Sequence, residues 1–241
     1  MMRRVVVTGA NRGLGLEFAR RLAAAGDEVV ATARHPKTAD ELNKLVTMSG
    51  GRGTVVPLDV SDPAAVSAAA LQIGERFDAV DLLINNAGIW TAPGQPDRAS
   101  AGALAELRPE PVLEVLRVNA VAPILVTQAL APLLAAAGRA IVVNLTSGLG
   151  SIERTTGRSN VAYAMSKAAL NMLTRHLAAE LAGQGTVVVA MSPGWVATDM
   201  GGAAASLEPP ESVRGMLNVV DALTPARSGS FLDHTGATLP W

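Results

Sequence analysis

The chain has 241 residues and a formal net charge of −1, from 20 Lys and Arg against 21 Asp and Glu, so no long-range field draws it to nucleic acid or an anionic membrane, and small molecules are the expected partners. With no cysteine there is no disulfide framework, thiolate nucleophile or Cys-based metal site, which suits a reducing cytoplasm, and no metal is expected. Hydrophobic residues make up 49% and aromatic residues 3%, so one aliphatic core is expected in a single domain over residues 1–241, burying roughly 70–75% of the unfolded surface.

The start, MMRRVVVTGANRG, has three valines before Thr8 and Gly9, far short of a signal peptide's apolar segment, and is expected to stay in the mature protein. From there, short β-branched runs alternate with Ala/Leu-rich stretches of helical period. Strands are predicted at Arg4–Thr8, Glu28–Thr32, Thr54–Leu58, Asp81–Asn85, Ala140–Leu145 and Val187–Met191. Most are continuous apolar runs, as expected of strands covered on both faces. Helices are predicted near Gly13–Ala25, Pro63–Arg76, Pro111–Ala136 and Val161–Ala182, with Ser61-Asp62-Pro63 as a start signal. The third of these carries no charge between Arg117 and Arg139, about the ~20 residues a bilayer requires. Asn119, Pro123, Thr127, Gln128 and Pro132 interrupt it, and it reads as a buried core helix. The alternation predicts an α/β fold, a Rossmann-type doubly wound parallel sheet with helices on both faces and ligands at the carboxyl ends of the strands. Three irregular stretches, Trp90–Ala103, Gly148–Asn160 and Gly201–Ser212, each follow a strand and so fall on that ligand side.

Directly after the first strand comes TGANRGLG, Thr8 to Gly15. Glycines there permit a tight turn and close approach to a pyrophosphate, and the helix beginning near Gly13 aims free N–H groups at it. An NAD site usually ends its second strand in an acidic residue, but this strand runs into Ala33-Arg34. Arg34 and Arg12 would instead place two guanidinium groups at a 2′-phosphate, which points to NADP(H) rather than NAD; the alternative is two solvated surface arginines.

Asn-Asn-Ala-Gly, 85–88, closes the fourth strand with small residues that let a ribose or base approach. Asn119 is polar inside the uncharged helix, either a satisfied core amide or a holder of a relay water. Ser147 emerges at the end of the fifth strand with a hydroxyl for a substrate oxygen. The only tyrosine, Tyr163, precedes Lys167 by four residues, so both share one helical face. Bringing a phenol from a pKa near 10 to ~7 takes about 4 kcal/mol of anion stabilisation, which a neighbouring ammonium could help supply.

In order, TGANRGLG, NNAG, Asn119, Ser147, Tyr163-Ala-Met-Ser-Lys167 and Pro193-Gly194 with Val196 and Thr198 resemble the short-chain dehydrogenase/reductase family. The likeness spans the whole chain, most strongly up to about Thr198. The long interval from Ser147 to Tyr163 and the ending from Gly229 to Trp241 look like the carbonyl-reductase-like members related to C-factor and sniffer proteins.

The resemblance implies NADP(H)-dependent reduction of a ketone or aldehyde to an alcohol. Tyr163 would be the general acid, Lys167 would hold the nicotinamide ribose and lower the tyrosine pKa, Ser147 would bind the reacting oxygen, and Asn119 would extend a relay through water. Gly9, Asn11, Arg12, Gly13, Leu14 and Gly15 would form the phosphate turn. Asp59 and Val60 would lie near the adenine, Asn86, Ala87 and Gly88 on the adenosine side, and Pro193, Gly194, Val196 and Thr198 by the nicotinamide, with Arg12 and Arg34 as the NADP pattern. A homo-oligomer, dimer or tetramer, is expected through the helices beginning near Pro111 and Val161. Trp90, Leu149, Ile152, Trp195 and Met200 are expected to line an apolar substrate cleft.

Two competitors remain. A Ser/His/Asp hydrolase lacks a Gly-x-Ser-x-Gly elbow, and His35, His176 and His234 are scattered. An NADPH-binding signalling or interaction protein with little turnover would keep the same site, and the intact Ser147, Tyr163 and Lys167 argue for chemistry instead.

Overall fold

The computed structural model describes residues 2–93, 107–157 and 159–241. Six valine- and leucine-rich runs form β1 (Arg4–Val7), β2 (Glu28–Ala33), β3 (Gly53–Pro57), β4 (Leu82–Asn85), β5 (Ile141–Leu145) and β6 (Val187–Ser192), and β7 (Phe231–Asp233) adds an edge. All neighbours pair in parallel in the order β3-β2-β1-β4-β5-β6-β7. The chain winds outward from β1 to β3, then crosses back to lay β4 on the other side of β1. That reversal opens a crevice above the carboxyl ends of β1 and β4, where a doubly wound sheet takes its ligand.

Both faces of the sheet are covered, which explains the continuous apolar strands. On one face, Phe18 and Leu22 of α1 (Gly13–Ala24), Leu42 of α2 (Asp40–Met48) and Val213, Met216 and Val220 of α7 (Pro209–Asp221) meet Val5, Val7 and Val189. On the other, Val66 and Ile73 of α3 (Pro63–Arg76), Val126, Leu130 and Leu134 of α5 (Ala122–Ala136) and Ala178 and Leu181 of α6 (Val161–Leu181) meet Val6, Leu83 and Val142. The Asp62 carboxylate accepts from Ala64 N at 2.9 Å with Pro63 opening α3, as the start signal requires.

The uncharged helix is longer than the sequence suggests. It begins at Pro109 as α4 (Pro109–Leu116), widens into a π-helical turn (Arg117–Val121) and continues as α5. Among the described residues this 28-residue run, Pro109–Ala136, is the one helix long and apolar enough to cross a membrane, yet Val118, Ala122, Val126, Leu130 and Leu134 face the core. The expected loop at Gly201–Ser212 is shortened, because Pro209 and Pro210 open α7 instead of breaking it. Of the expected loop at Trp90–Ala103, residues 94–103 lie outside those described.

A buried polar chain crosses this face. Asn85 Nδ2 donates to Asn144 Oδ1 at 2.9 Å and to Thr127 Oγ1 at 3.2 Å, and Asn144 Nδ2 donates to Thr174 Oγ1 at 3.0 Å. Asn85 and Asn144 are also register partners in the β4–β5 ladder. Asn144→Leu is expected to destabilise the fold by about 1–3 kcal/mol per stranded partner, measured by urea unfolding.

Candidate active site

The crevice is a cleft of about 380 Å³. Its floor begins with the turn after β1. Gly9 has φ +63°, and a Cβ there would lie 2.9 Å from Ala87 Cα. A Cβ on Gly15 would lie 2.3 Å from Gly9 O and 2.5 Å from Asn86 Nδ2, so this glycine closes the turn on itself and takes no place in the lining. Asn86 pegs the turn from the β4 side, donating through Nδ2 to Thr8 O at 2.8 Å and Gly9 O at 3.0 Å. The N-terminus of α1 has no side-chain cap and no acidic residue in its first turn. Gly13 and Leu14 of this first turn line the cleft, where the unsatisfied amides of a helix N-terminus make an anion site.

Gly9, Asn11, Arg12, Gly13, Leu14, Arg34, Asp59, Val60, Asn86, Ala87, Gly88, Tyr163, Lys167, Pro193 and Thr198 all line the cleft. Five expected residues, Gly15, Asn119, Ser147, Gly194 and Val196, do not. Val196 is buried and bridges Leu207, while Gly194, at φ +82°, turns the chain so that Pro193 and Thr198 face the cleft.

The two arginines differ. Arg12 Nη1 pairs with Asp199 at 2.7 Å, both side chains being largely exposed, so it is engaged across the cleft mouth. Arg34 lies beside Asp59. Partial burial pushes the Asp59 carboxyl up, but the Ser61 hydroxyl and N–H, Arg34 and Arg117 outweigh it and hold the group below its usual value. His35, Thr38, Leu58 and Ser61 share this end and escape sequence reasoning. Thr38 arrives through a 3₁₀ turn, Pro36–Thr38, whose only signal is the proline two residues past Arg34. The donor set fits a dinucleotide: helix amides for a diphosphate, with arginine at the ribose end.

At the other end, Tyr163 and Lys167 stand one turn apart on α6, both buried. Ser147, which the end of β5 delivers despite the long interval between them, lies near enough to the Tyr163 hydroxyl to pull its pKa down. Ser147 Oγ accepts from Leu149 N at 3.1 Å, which fixes its rotamer. Lys167 Nζ donates to Leu145 O at 2.7 Å and sits 5.5 Å from the Tyr163 ring centre. Burial pushes the phenol up to about 12 against the downward pull of Ser147, and pushes the ammonium down to about 8. In the protein without cofactor, burial is the larger influence on the phenol and Ser147 the opposing one.

The Asn119 side chain is committed to structure. Its Oδ1 accepts from Ile89 N at 2.8 Å, and its Nδ2 donates to Ile89 O at 2.8 Å and Ser166 Oγ at 3.0 Å. Of the expected apolar lining, Met200 lines the cleft and Trp90 lies on the Tyr163 ring, while Leu149, Ile152 and Trp195 are exposed and outside the lining. Among the described residues no group of three His, Asp or Glu side chains could hold a metal.

The pattern of the family described as short chain dehydrogenase matches residues 3–208. C-signal of Myxococcus xanthus is 43% identical over 165 residues, covering 67% of this chain and 93% of its own. The NADPH-bound carbonyl reductase from chicken fatty liver superposes with a TM-score of 0.91 at 40% identity, covering 100% of this chain and 99% of that one. The carbonyl reductase Sniffer of Drosophila melanogaster superposes with a TM-score of 0.91 at 30% identity, with 100% of both chains covered.

Proposed function

The chain belongs to the short-chain dehydrogenase/reductase family, and from that premise we propose that it is an NADP(H)-dependent carbonyl reductase with Tyr163 as its general acid. The observation that carries this is Tyr163 and Lys167, one turn apart with Ser147 acting on the phenol, in the same cleft as the uncapped glycine turn. A bound NADPH would be held by the amides of Gly13 and Leu14, by Arg34 and Arg12 at the phosphorylated ribose and by Lys167 at the nicotinamide ribose, and it supplies a hydride. Ser147 donates to the substrate carbonyl oxygen, and Tyr163 delivers the proton that the oxygen gains. The phenol is protonated at neutral pH, the state a proton donor needs. Incubating the purified protein with NADPH and a panel of ketones and aldehydes, and following loss of reduced-nicotinamide absorbance, tests the reading; no turnover across the panel would reject it.

The likeness to C-signal favours one other reading, a signalling or interaction protein that binds NADPH with little turnover. The assembled Ser147, Tyr163 and Lys167 weigh against it. The substrate is a small carbonyl compound, and the expected cytoplasmic location suits both readings. Self-association is proposed through α4 to α6, where Leu113, Met165 and Met172 are exposed, to be measured by analytical ultracentrifugation.

Arg34 tests cofactor choice. It lies in the cleft beside Asp59. Arg34→Asp is expected to weaken NADPH binding by about 10–100-fold, the range of one charge-assisted contact, and to leave NADH binding within a few-fold. Equal losses for both dinucleotides would remove the phosphate argument.

A further inference from the structure

We propose that Trp90 is a positioning residue for Tyr163: its indole covers and orients the phenol, and Asn160 and Asn119 fasten it there. The proposal rests on the reading of Tyr163 as the acid. The two rings lie with centroids 4.6 Å apart and planes inclined by 39°, within the range where an aromatic pair contributes beyond its buried area. Trp90 follows Gly88 and Ile89 in the segment after β4, a stretch that would swing freely without tethers. Asn160 Nδ2 donates to Trp90 O at 2.8 Å, and Asn119 grips Ile89 through both N–H and C=O, each at 2.8 Å.

The same two amides reach the peptide of Tyr163. Asn160 Oδ1 accepts from Tyr163 N at 3.1 Å, and Asn119 Nδ2 donates to Ser166 Oγ, which donates to Tyr163 O at 2.7 Å. A closed circuit therefore runs from Trp90 through Asn160, Tyr163, Ser166 and Asn119 to Ile89. Asn160 is more than the N-cap of α6, because its amide nitrogen spends its hydrogen bond on the tryptophan segment. Such a circuit sets the distance between indole and phenol and excludes water from one ring face.

The surroundings allow a direct measurement. Among the described residues Lys167 is the charged group that approaches the ring. Residues 86–93 carry no charge. On α4 and the π turn, Glu114 is paired with Arg117 and Glu110 is exposed; Asp199 is paired with Arg12, and Glu153 and Arg154 are exposed. Lys167, pushed down to about 8, is neutral wherever the phenol titrates.

Tyr163 is the only tyrosine, so tyrosinate absorbance during an alkaline titration reads this phenol alone, with no substrate or cofactor present. Far-ultraviolet circular dichroism at each pH confirms that the fold persists. The wild-type midpoint is expected above the free value of about 10, and Trp90→Ala is expected to lower it by about one pH unit as water reaches the ring. Trp90→Phe should keep most of the wild-type midpoint. Asn160→Ser, which retains a capping oxygen but cannot reach Trp90 O, should lower it part of the way. In turnover, Trp90→Ala should reduce kcat several-fold with the KM for NADPH unchanged. An unchanged midpoint in Trp90→Ala, or an equal fall in Trp90→Phe, would overturn the proposal. An active Tyr163→Phe would remove the acid reading and leave the titration result standing.

Discussion

Tyr163→Phe is expected to lower kcat/KM for carbonyl reduction by about 10²–10⁴-fold, the range for losing a positioned general acid. NADPH should still raise the Tm of the variant, because the glycine turn, Arg34 and Lys167 are untouched. The substitution removes one oxygen from a side chain that is 7% exposed, and its ring contact with Trp90 is retained. What disappears is the hydroxyl on which Ser147 acts, so the loss falls on kcat rather than on cofactor binding. A variant that binds NADPH and retains full turnover would mean that another group supplies the proton. A wild type that binds NADPH and turns over no carbonyl, with Tyr163→Phe indistinguishable from it, would favour the signalling reading.

Burial gives the same residue opposite values in the two directions of reaction. A phenol held near 12 is fully protonated at neutral pH and ready to donate in reduction. Alcohol oxidation needs the phenolate, so its rate should climb with pH over a range where reduction does not. Lys167 stands 5.5 Å from the ring centre and donates a hydrogen bond to Leu145 O.

The strands β1 to β6 are legible because parallel burial on both faces demands apolar runs, and Val5–Val7 or Val187–Val189 have no other plausible use. β7 is not, because three residues at an edge, Phe-Leu-Asp, carry no pattern and depend on β6 to be read at all. α2 is a short amphipathic segment with only Leu42 fully buried, and α7 hides behind two prolines that look like a break. The same division runs through the site. Residues at strand ends, Gly9, Asn86 and Gly88, follow from topology, since a strand carries them to the crevice. Thr38 reaches it through a 3₁₀ turn, and the pairing of Trp90 with Tyr163 joins a loop and a helix far apart in the sequence. Trp90, Leu149, Ile152 and Trp195 were expected as cleft lining because their loops lie on the ligand side, but loop membership does not set side-chain direction. Spacing placed Tyr163 and Lys167 on one face correctly; it could not weigh burial against charge.

Lys167→Met is expected to lower kcat/KM by about 10²–10³-fold, the scale of losing one preorganised charged donor, and to weaken NADPH binding as well, which separates it from Tyr163→Phe. The pH dependence gives a sharper signature. Burial pushes the ammonium from 10.5 down to about 8, so the cofactor-free protein holds a charged Lys167 below pH 8 and loses that charge above it. If the ammonium holds the nicotinamide ribose, wild-type affinity for NADPH should be flat below about 8 and fall as pH rises further, because binding must then recover a proton. The Met variant should bind weakly and show no such fall. Stability runs the other way. A lysine whose folded pKa lies below its unfolded value binds fewer protons in the folded state between about 8 and 10.5, so wild-type stability contains a contribution that rises with pH across that window. Lys167→Met removes the buried ammonium and with it that rise, and its Tm at neutral pH is expected to equal or exceed that of the wild type while activity collapses. A variant that unfolds at lower temperature at pH 7 and keeps the wild-type pH dependence of NADPH affinity would show that Lys167 is a strut for Leu145 and not a cofactor-binding cation.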